Sequence, residues 1–269
     1  MAKNILHMMT PLAHMSPFDV NMAIDAGYDA TASYTHVSLD EVTGLVQDAM
    51  FSRSPRDAAR TGVFIGGKDA LLALDMLDAA GVDTSPLRGD SRSLIFHTDE
   101  MTLVTMRPSD VPTYVESGAA DLGVTGKDVL LEQSDRTVYE LLDLGFGKCR
   151  MVLAGPRGDE RMGESFRRLG MMRIATKYPR IAERYFEDTG RQIELIEVKG
   201  SVELAPLIGL GDGIVDLVAT GRTLAENDLE VREEIVDCTA RFVANRVAHK
   251  LRASEVDDLT ARLRVASRP

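Results

Sequence analysis

Short apolar runs alternate with amphipathic, helix-like stretches along almost the whole chain, and this alternation limits the fold more than any other feature. Apolar runs bounded by glycine or polar turns read as strands, and apolar residues at three- and four-residue spacing read as helices. Their repeated alternation predicts an α/β protein with largely parallel sheets. Val63-Phe64-Ile65 reads as a strand, Gly66-Gly67 as a turn, and Asp69 to Ala80 as a helix with Leu71, Leu74 and Leu77 inward and Gly81 as its stop. Pro108 to Glu116 reads as a helix ending at Gly118, and Asp121 to Val124 as a strand running into Gly126 and Lys127. Near the start, Asn4-Ile5-Leu6 reads as a strand. Ser38-Leu39-Asp40-Glu41 is a capping-box pattern before Val42, Leu45, Val46, Ala49 and Met50 at helical spacing. The most polar connection, from Arg157 to Gly163, is expected to be a solvated loop.

At 269 residues the chain can bury the core of one large or two modest domains. Its net charge of −11 opposes a nucleic-acid surface, because phosphate binding would work against the overall field, although a local cationic pocket for a small anion stays open. Cys149 and Cys238 lie in no metal-like spacing and read as buried, reduced thiols. No stretch approaches the roughly 18 apolar residues that span a bilayer, and no export signal opens the chain, so a cytoplasmic protein without membrane contact is expected. The five histidines are scattered. His7 and His14 among Met8, Met9 and Met15 match no common metal site, and no residue is assigned as a metal ligand.

The stretch Gly209 to Leu224, GLGDGIVDLVATGRTL, carries the chemistry. Ile214, Val215, Leu217 and Val218 form a short buried strand with Asp216 inside it, and Thr220, Gly221, Arg222 and Thr223 follow where the strand ends. A helix beginning near Leu224 would turn free backbone N–H groups toward that turn, the threonine hydroxyls would add donors, and Gly221 would let the backbone approach an anion. Thr-Gly-x-Thr alone also describes an ordinary strand-to-helix turn. Glu203 and Asp212 are nearby acids in the sequence, each also readable as a solvated or capping residue.

With Gly200-Ser201-Val202-Glu203-Leu204-Ala205-Pro206 upstream, this run resembles the signature of ATP phosphoribosyltransferases. The similarity extends to Leu94-Ile95-Phe96, Arg107 to Val115, Asp121 to Leu130, and Leu144 to Met151, covering the chain from about Met76 onward. Its ending soon after Leu263 resembles the short form without an added regulatory domain. Residues 1–80 are similar instead to the N-terminal part of methylene-tetrahydromethanopterin dehydrogenases, through His14 to Ala23, Tyr28-Asp29-Ala30, Leu45 to Ala49, Phe51-Ser52-Arg53 and Thr61 to Lys68. The glycine-rich dinucleotide loop of those dehydrogenases, GxGxxG between strand and helix, does not occur in the sequence. The two resemblances meet in Ala73 to Gly81.

The resemblance implies a two-lobed, periplasmic-binding-protein-like transferase fold with extra N-terminal βα units. It divides into a dehydrogenase-like segment at 1–60, a first lobe at 61–148 to which 240–269 return, and a second lobe at 149–239 carrying the phosphoribosyl pyrophosphate loop. It implies condensation of ATP with phosphoribosyl pyrophosphate to phosphoribosyl-ATP and pyrophosphate, dependent on Mg²⁺, as the first step of histidine biosynthesis. It also implies a homo-oligomer and a regulatory subunit similar to histidyl-tRNA synthetase. Asp216 and Glu203 are then the catalytic candidates. Asp212, Thr220, Gly221, Arg222, Thr223, Lys127, Asp128, Arg150 and Lys68 are the substrate-binding candidates, and Lys177-Tyr178-Pro179 falls near the cleft. The family opens with a Lys-Gly-Arg turn between its first strand and helix. The equivalent here, Phe64-Ile65-Gly66-Gly67-Lys68-Asp69, lacks the arginine, and losing such a charge-assisted bond costs about 1.5–3 kcal/mol. A pterin-binding protein related to the dehydrogenases, and a catalytically silent hybrid, are the rival readings.

Overall fold

The computed structural model describes residues 60–64, 70–88, 93–98, 100–158, 168 and 170–267. The strand expected at 4–6, the helix expected after residue 38, the turn at 66–68 and most of the loop expected at 157–163 lie outside them, as do the expected N-terminal βα units before residue 60.

In chain order the first part gives β1 (Arg60–Phe64), α1 (Ala70–Ala79), β2 (Ile95–His97), β3 (Thr102–Met106), α2 (Val111–Glu116), β4 (Leu122–Gly126), α3 (Lys127–Glu132) and β5 (Val138–Asp143). The chain then enters a second sheet with β6 (Cys149–Pro156), β7 (Met172–Thr176), α4 (Pro179–Asp188), β8 (Ile193–Glu197), α5 (Leu204–Leu207), β9 (Gly213–Val218), α6 (Arg222–Glu226) and β10 (Leu229–Cys238). It returns through β11 (Ala240–Asn245), α7 (Arg246–Leu251) and α8 (Ala253–Ala266). The first sheet has the order β2-β3-β1-β4-β11-β5 and the second β10-β6-β9-β7-β8, so the fold is α/β with two lobes. These elements belong to one compact unit beginning at Ala58.

The sheets are mixed rather than largely parallel. β1 runs parallel to β3 and β4, and β7 parallel to β8 and β9, but β2, β6, β10 and β11 pair antiparallel with their neighbours. Parallel neighbours need a long crossover, whereas the chain passes between the sheets through the brief links Leu144–Lys148 and Thr239 and re-enters in the opposite direction.

Both sheets are buried by period-two alternation. On β6, Met151 and Leu153 face a cluster with Ile181 and Phe186 of α4, while Val152 and Ala154 face the other side, with Val202, Ala205 and Leu224. All four β6 side chains are fully enclosed, as expected of a sheet covered on both faces. In the first lobe α2 lies directly on β4: a Cβ on Gly123 would stand 2.5 Å from Val111 Cγ1, so only glycine allows that approach. Helix α1 buries Ala73, Leu74 and Leu77, and Ala80 just beyond it is buried too, but Leu71 is 62% exposed, against expectation. At about 100° per residue, Leu71 lies roughly 120° around the helix from Leu77, beyond the inward stripe. Gly81, at φ 83°, ends the helix as its sequence predicts.

Candidate functional site

Strands β7 and β9 are parallel neighbours, with Thr176 in register with Val215, so their C-terminal ends open along the same edge of the second sheet. Ligands in open α/β sheets collect at such ends. The segment Thr220–Thr223 leaves β9 there, and Lys177 and Tyr178 leave β7. Gly221 has φ 77°, a left-handed conformation that glycine takes without a steric cost, and it forms the N-cap of α6. The Arg222 N–H points back to Thr220 Oγ1 at 3.5 Å, and Thr220, Arg222 and Thr223 are exposed, so the turn is an open loop with hydroxyl and first-turn N–H donors. Arg222 itself pairs with Glu226 one helical turn on, at 2.7 Å.

Asp216, inside β9, is only 8% exposed, and its Oδ1 is 3.3 Å from Lys177 Nζ. Its carboxylate also accepts the Leu217 N–H at 2.8 Å. Burial pushes its pKa up, the Lys177 ammonium opposes that rise, and the charge of Glu203 adds to it. Glu203 stands half-buried at the N-cap of α5. Asp216, Lys177 and Glu203 therefore form one electrostatic group beside the loop.

Residues of the first lobe meet the turn after β7. The Tyr178 hydroxyl donates to Asp128 Oδ2 of α3 at 3.4 Å, and burial pushes the pKa of both groups up. Two residues on, the Arg180 and Ile181 N–H groups donate to the Glu132 carboxylate at 3.1 Å each, capping the N-terminus of α4 from the other lobe. Arg180 Nη1 also reaches Asp135 at 2.5 Å. The sequence resemblance placed Lys177-Tyr178-Pro179 near the cleft but did not link it to Asp216 or Asp128, and it missed Glu132. Pro179 at the first helical position was the available signal.

Other candidates stand apart. Asp212 precedes β9, about 20 Å along the strand from the loop. Its carboxylate is held by Arg173, through the backbone N–H at 2.9 Å and Nη2 at 3.1 Å. Lys127 Nζ binds Glu140 on β5 at 2.7 Å, and Arg150 pairs with Glu234 on β10. Lys68 lies outside the described residues.

A two-lobed α/β fold with an open, hydroxyl-bearing loop at its strand ends, beside a buried carboxylate and a lysine, has the architecture of the two-lobed binding proteins. The periplasmic aliphatic sulphonate binding protein SsuA from Escherichia coli shares that fold at 12% identity and TM-score 0.52, over 78% of this chain and 72% of that one. The sequence pattern of ATP phosphoribosyltransferase matches residues 107–265, and the chain belongs to that family. It is 53% identical over 200 residues to the ATP phosphoribosyltransferase of Rubrobacter xylanophilus, covering 73% of this chain and 91% of the relative. It is 47% identical over 194 residues to that of Caldanaerobacter subterraneus subsp. tengcongensis, covering 71% and 90%. The ATP phosphoribosyl transferase (HisG:HisZ) complex from Thermotoga maritima contains a chain that superposes with TM-score 0.65 at 34% identity, over 78% of this chain and 98% of that one. The N-terminal pattern of methylene-tetrahydromethanopterin dehydrogenase matches residues 17–84. β1 and α1 fall inside that second match, yet β1 is the strand between β3 and β4 of the first sheet.

Proposed function

We propose that this chain transfers the phosphoribosyl group of phosphoribosyl pyrophosphate to ATP, giving phosphoribosyl-ATP and pyrophosphate in the first step of histidine biosynthesis. The observation that carries the reading is the open Thr220–Thr223 loop set beside buried Asp216 and Lys177, in a chain of this family. Thr220, Gly221, Arg222 and Thr223 would hold the 5′-phosphate through hydroxyl and backbone N–H donors. Asp216, with Glu203, would take the ribose hydroxyls and favour the positive charge that grows on the sugar ring as C1 leaves pyrophosphate. The N1 nitrogen of ATP then bonds to C1 as the C1–oxygen bond breaks, so no protein nucleophile is needed. Asp128, hydrogen-bonded to Tyr178, would stand on the facing side.

Mg²⁺ fits the residues present. Asp216 is a buried carboxylate whose charge is strained by burial and by Glu203, and Mg²⁺ is commonly held by one or two carboxylates together with substrate phosphates. The ion would neutralise the departing pyrophosphate. In this reading Asp212, Lys127 and Arg150 serve through their ion pairs rather than by touching substrate. We divide the chain into a segment at 1–60, a first lobe at 61–148 with 240–269, and a second lobe at 149–239. A partner chain is supported by the Thermotoga relative, which was solved as a HisG:HisZ complex; that this partner is regulatory, and that the chain is a cytoplasmic homo-oligomer, are further parts of the proposal. No helix among the described residues is long and apolar enough to cross a membrane.

The test is incubation with ATP, phosphoribosyl pyrophosphate and Mg²⁺, with and without such a partner, followed by detection of phosphoribosyl-ATP. Folded protein that yields none under either condition sinks the reading, and would fit the missing arginine at the Gly66-Gly67-Lys68 turn. Thr220→Ala with Thr223→Ala should raise KM for phosphoribosyl pyrophosphate about a hundredfold or more, because each removes a hydrogen bond to a charged group worth about 1.5–3 kcal/mol. Unchanged KM counts against the loop as the phosphate site.

A further inference from the structure

The transfer reaction leaves two chemically reactive groups unused. Cys149 opens β6 and Cys238 closes β10, and the antiparallel register sets them directly opposite each other. Opposed residues of an antiparallel pair have Cα atoms about 4.5 or 5.5 Å apart. Either spacing falls within the roughly 4.4–6.8 Å that a disulfide spans. Cys149 Sγ donates to the Cys238 carbonyl oxygen at 3.9 Å, and Cys238 Sγ to the Val236 carbonyl oxygen at 4.0 Å. Both line one open cavity of about 180 Å³, together with Asp128, Phe146, Gly147 and Thr239, so the sulfur end of a disulfide reagent has space beside them while its arms stay outside. Cys149 is half-buried and Cys238 buried.

Their position in the fold gives the pair a consequence. β5 ends in the first sheet at Asp143 and β6 begins in the second at Cys149, while β10 ends in the second at Cys238 and β11 begins in the first at Ala240. The cysteines mark where both passages between the lobes join the second sheet. The passages are already tied to each other on the first-lobe side, by the Ala240 N–H to Phe146 carbonyl bond at 2.9 Å, the Leu144 N–H to Ala240 carbonyl bond at 2.9 Å and the Thr239 hydroxyl to Asp143 bond at 2.7 Å.

We propose that Cys149 and Cys238 are a thiol-oxidation site that takes a small-molecule disulfide such as oxidised glutathione, and that the bond between them stiffens the pivot between the lobes. Cys149 Sγ, as thiolate, attacks one sulfur of the oxidant; the oxidant's S–S bond breaks and one thiolate departs and picks up a proton. Cys238 then gives up its proton and attacks Cys149 Sγ in the mixed disulfide, expelling the second thiolate, which takes that proton. Two protein thiols become one disulfide, and one oxidant disulfide becomes two thiols. The Cys149 contact and burial push the Cys238 pKa up, so Cys238 keeps its proton until the second step and is the resolving thiol. Disulfides that form in reducing compartments are usually of this transient, redox-sensing kind.

The bond does not depend on the reaction proposed above, whereas its effect on turnover does, and the experiment separates them. Reduced protein is incubated with oxidised glutathione, remaining thiols are alkylated, and tryptic peptides are weighed. The expected product links the dipeptide Cys149-Arg150 to peptide 233–241, is lighter than their sum by two hydrogen atoms, and disappears with dithiothreitol. Folded protein in which both cysteines are recovered alkylated or singly glutathionylated, with no linked peptide, overturns the site. Phosphoribosyl-ATP formation by the linked protein should fall several-fold and recover with dithiothreitol, while Cys149→Ala, or Cys149→Ser should that variant not fold, lacks the attacking thiol and is unaffected by the oxidant. Full turnover by the linked protein, or equal loss in the variant, overturns the stiffened pivot.

Discussion

Two carboxylates, one just before β9 and one inside it, have opposite energetic meaning. Asp212 accepts two hydrogen bonds from Arg173 and anchors the start of β9, so Asp212→Asn should lower unfolding free energy by about 1–3 kcal/mol, the worth of charge-assisted bonds, while KM for phosphoribosyl pyrophosphate stays near wild type. Asp216 is held above its ordinary pKa by burial, so its ionised form costs the native state stability. For a carboxylate with a raised folded pKa, that cost is complete above the folded pKa, shrinks as pH falls, and vanishes below the unfolded value near 3.8. Asp216→Asn should therefore be more stable than the parent at neutral pH, lose that advantage toward pH 3.8, and fail to turn over substrate. Urea midpoints at the two pH values check both signs, and an Asp216→Asn protein less stable than the parent at pH 7 contradicts the account. The threonine loop was legible because its residues are consecutive. The Lys177–Asp216 pair was not, because it depends on two strands distant in sequence becoming parallel neighbours.

At the scale of elements, the junction between lobes is built from helix termini. Glu132 at the end of α3 caps α4 through two N–H groups, and burial pushes its carboxyl pKa up despite those bonds. Glu132→Ala should cost about 1 kcal/mol, the usual value of a lost cap, and Glu132→Gln less, because an amide oxygen can still accept; thermal midpoints of the two variants give the ordering. The neighbouring Arg180–Asp135 pair is more than half exposed on both sides and contributes little in comparison. Strand and helix types were readable from periodicity, as α1, α2, β4 and β9 show. Faces and strand directions were less so. Leu71 satisfies a three-residue spacing with Leu74 and Leu77 yet lies outside the buried stripe, because spacing of three drifts around a helix with 3.6 residues per turn. The antiparallel strands were hidden because direction is set by which sheet the chain enters next, and residues 144–148 and 239 carry no pattern announcing that change.

The whole molecule joins two sequence resemblances in one sheet. The dehydrogenase-like match ends at residue 84, yet it supplies β1, which pairs with β3 over five residues and with β4 over two, and α1, whose Leu74 and Leu77 enter the first-lobe core with Leu103, Leu122 and Phe242. A borrowed strand can serve here because a central parallel strand is specified by its backbone pairing and the helix that follows it, and both parent patterns satisfy those demands in Ala73 to Gly81. Removing β1 would leave the facing edges of β3 and β4 unpaired beneath α1 and α2. Each unsatisfied buried backbone group costs about 1–3 kcal/mol, so the loss of even five such groups matches the roughly 5–15 kcal/mol that holds a domain together. A chain beginning at Ala58 keeps every described strand and should show a cooperative urea transition, while one beginning at Ala70 should not. A cooperative transition in the shorter chain would mean that β3 and β4 can close on each other, and that the foreign block is an addition to the transferase fold rather than a replacement of its first strand.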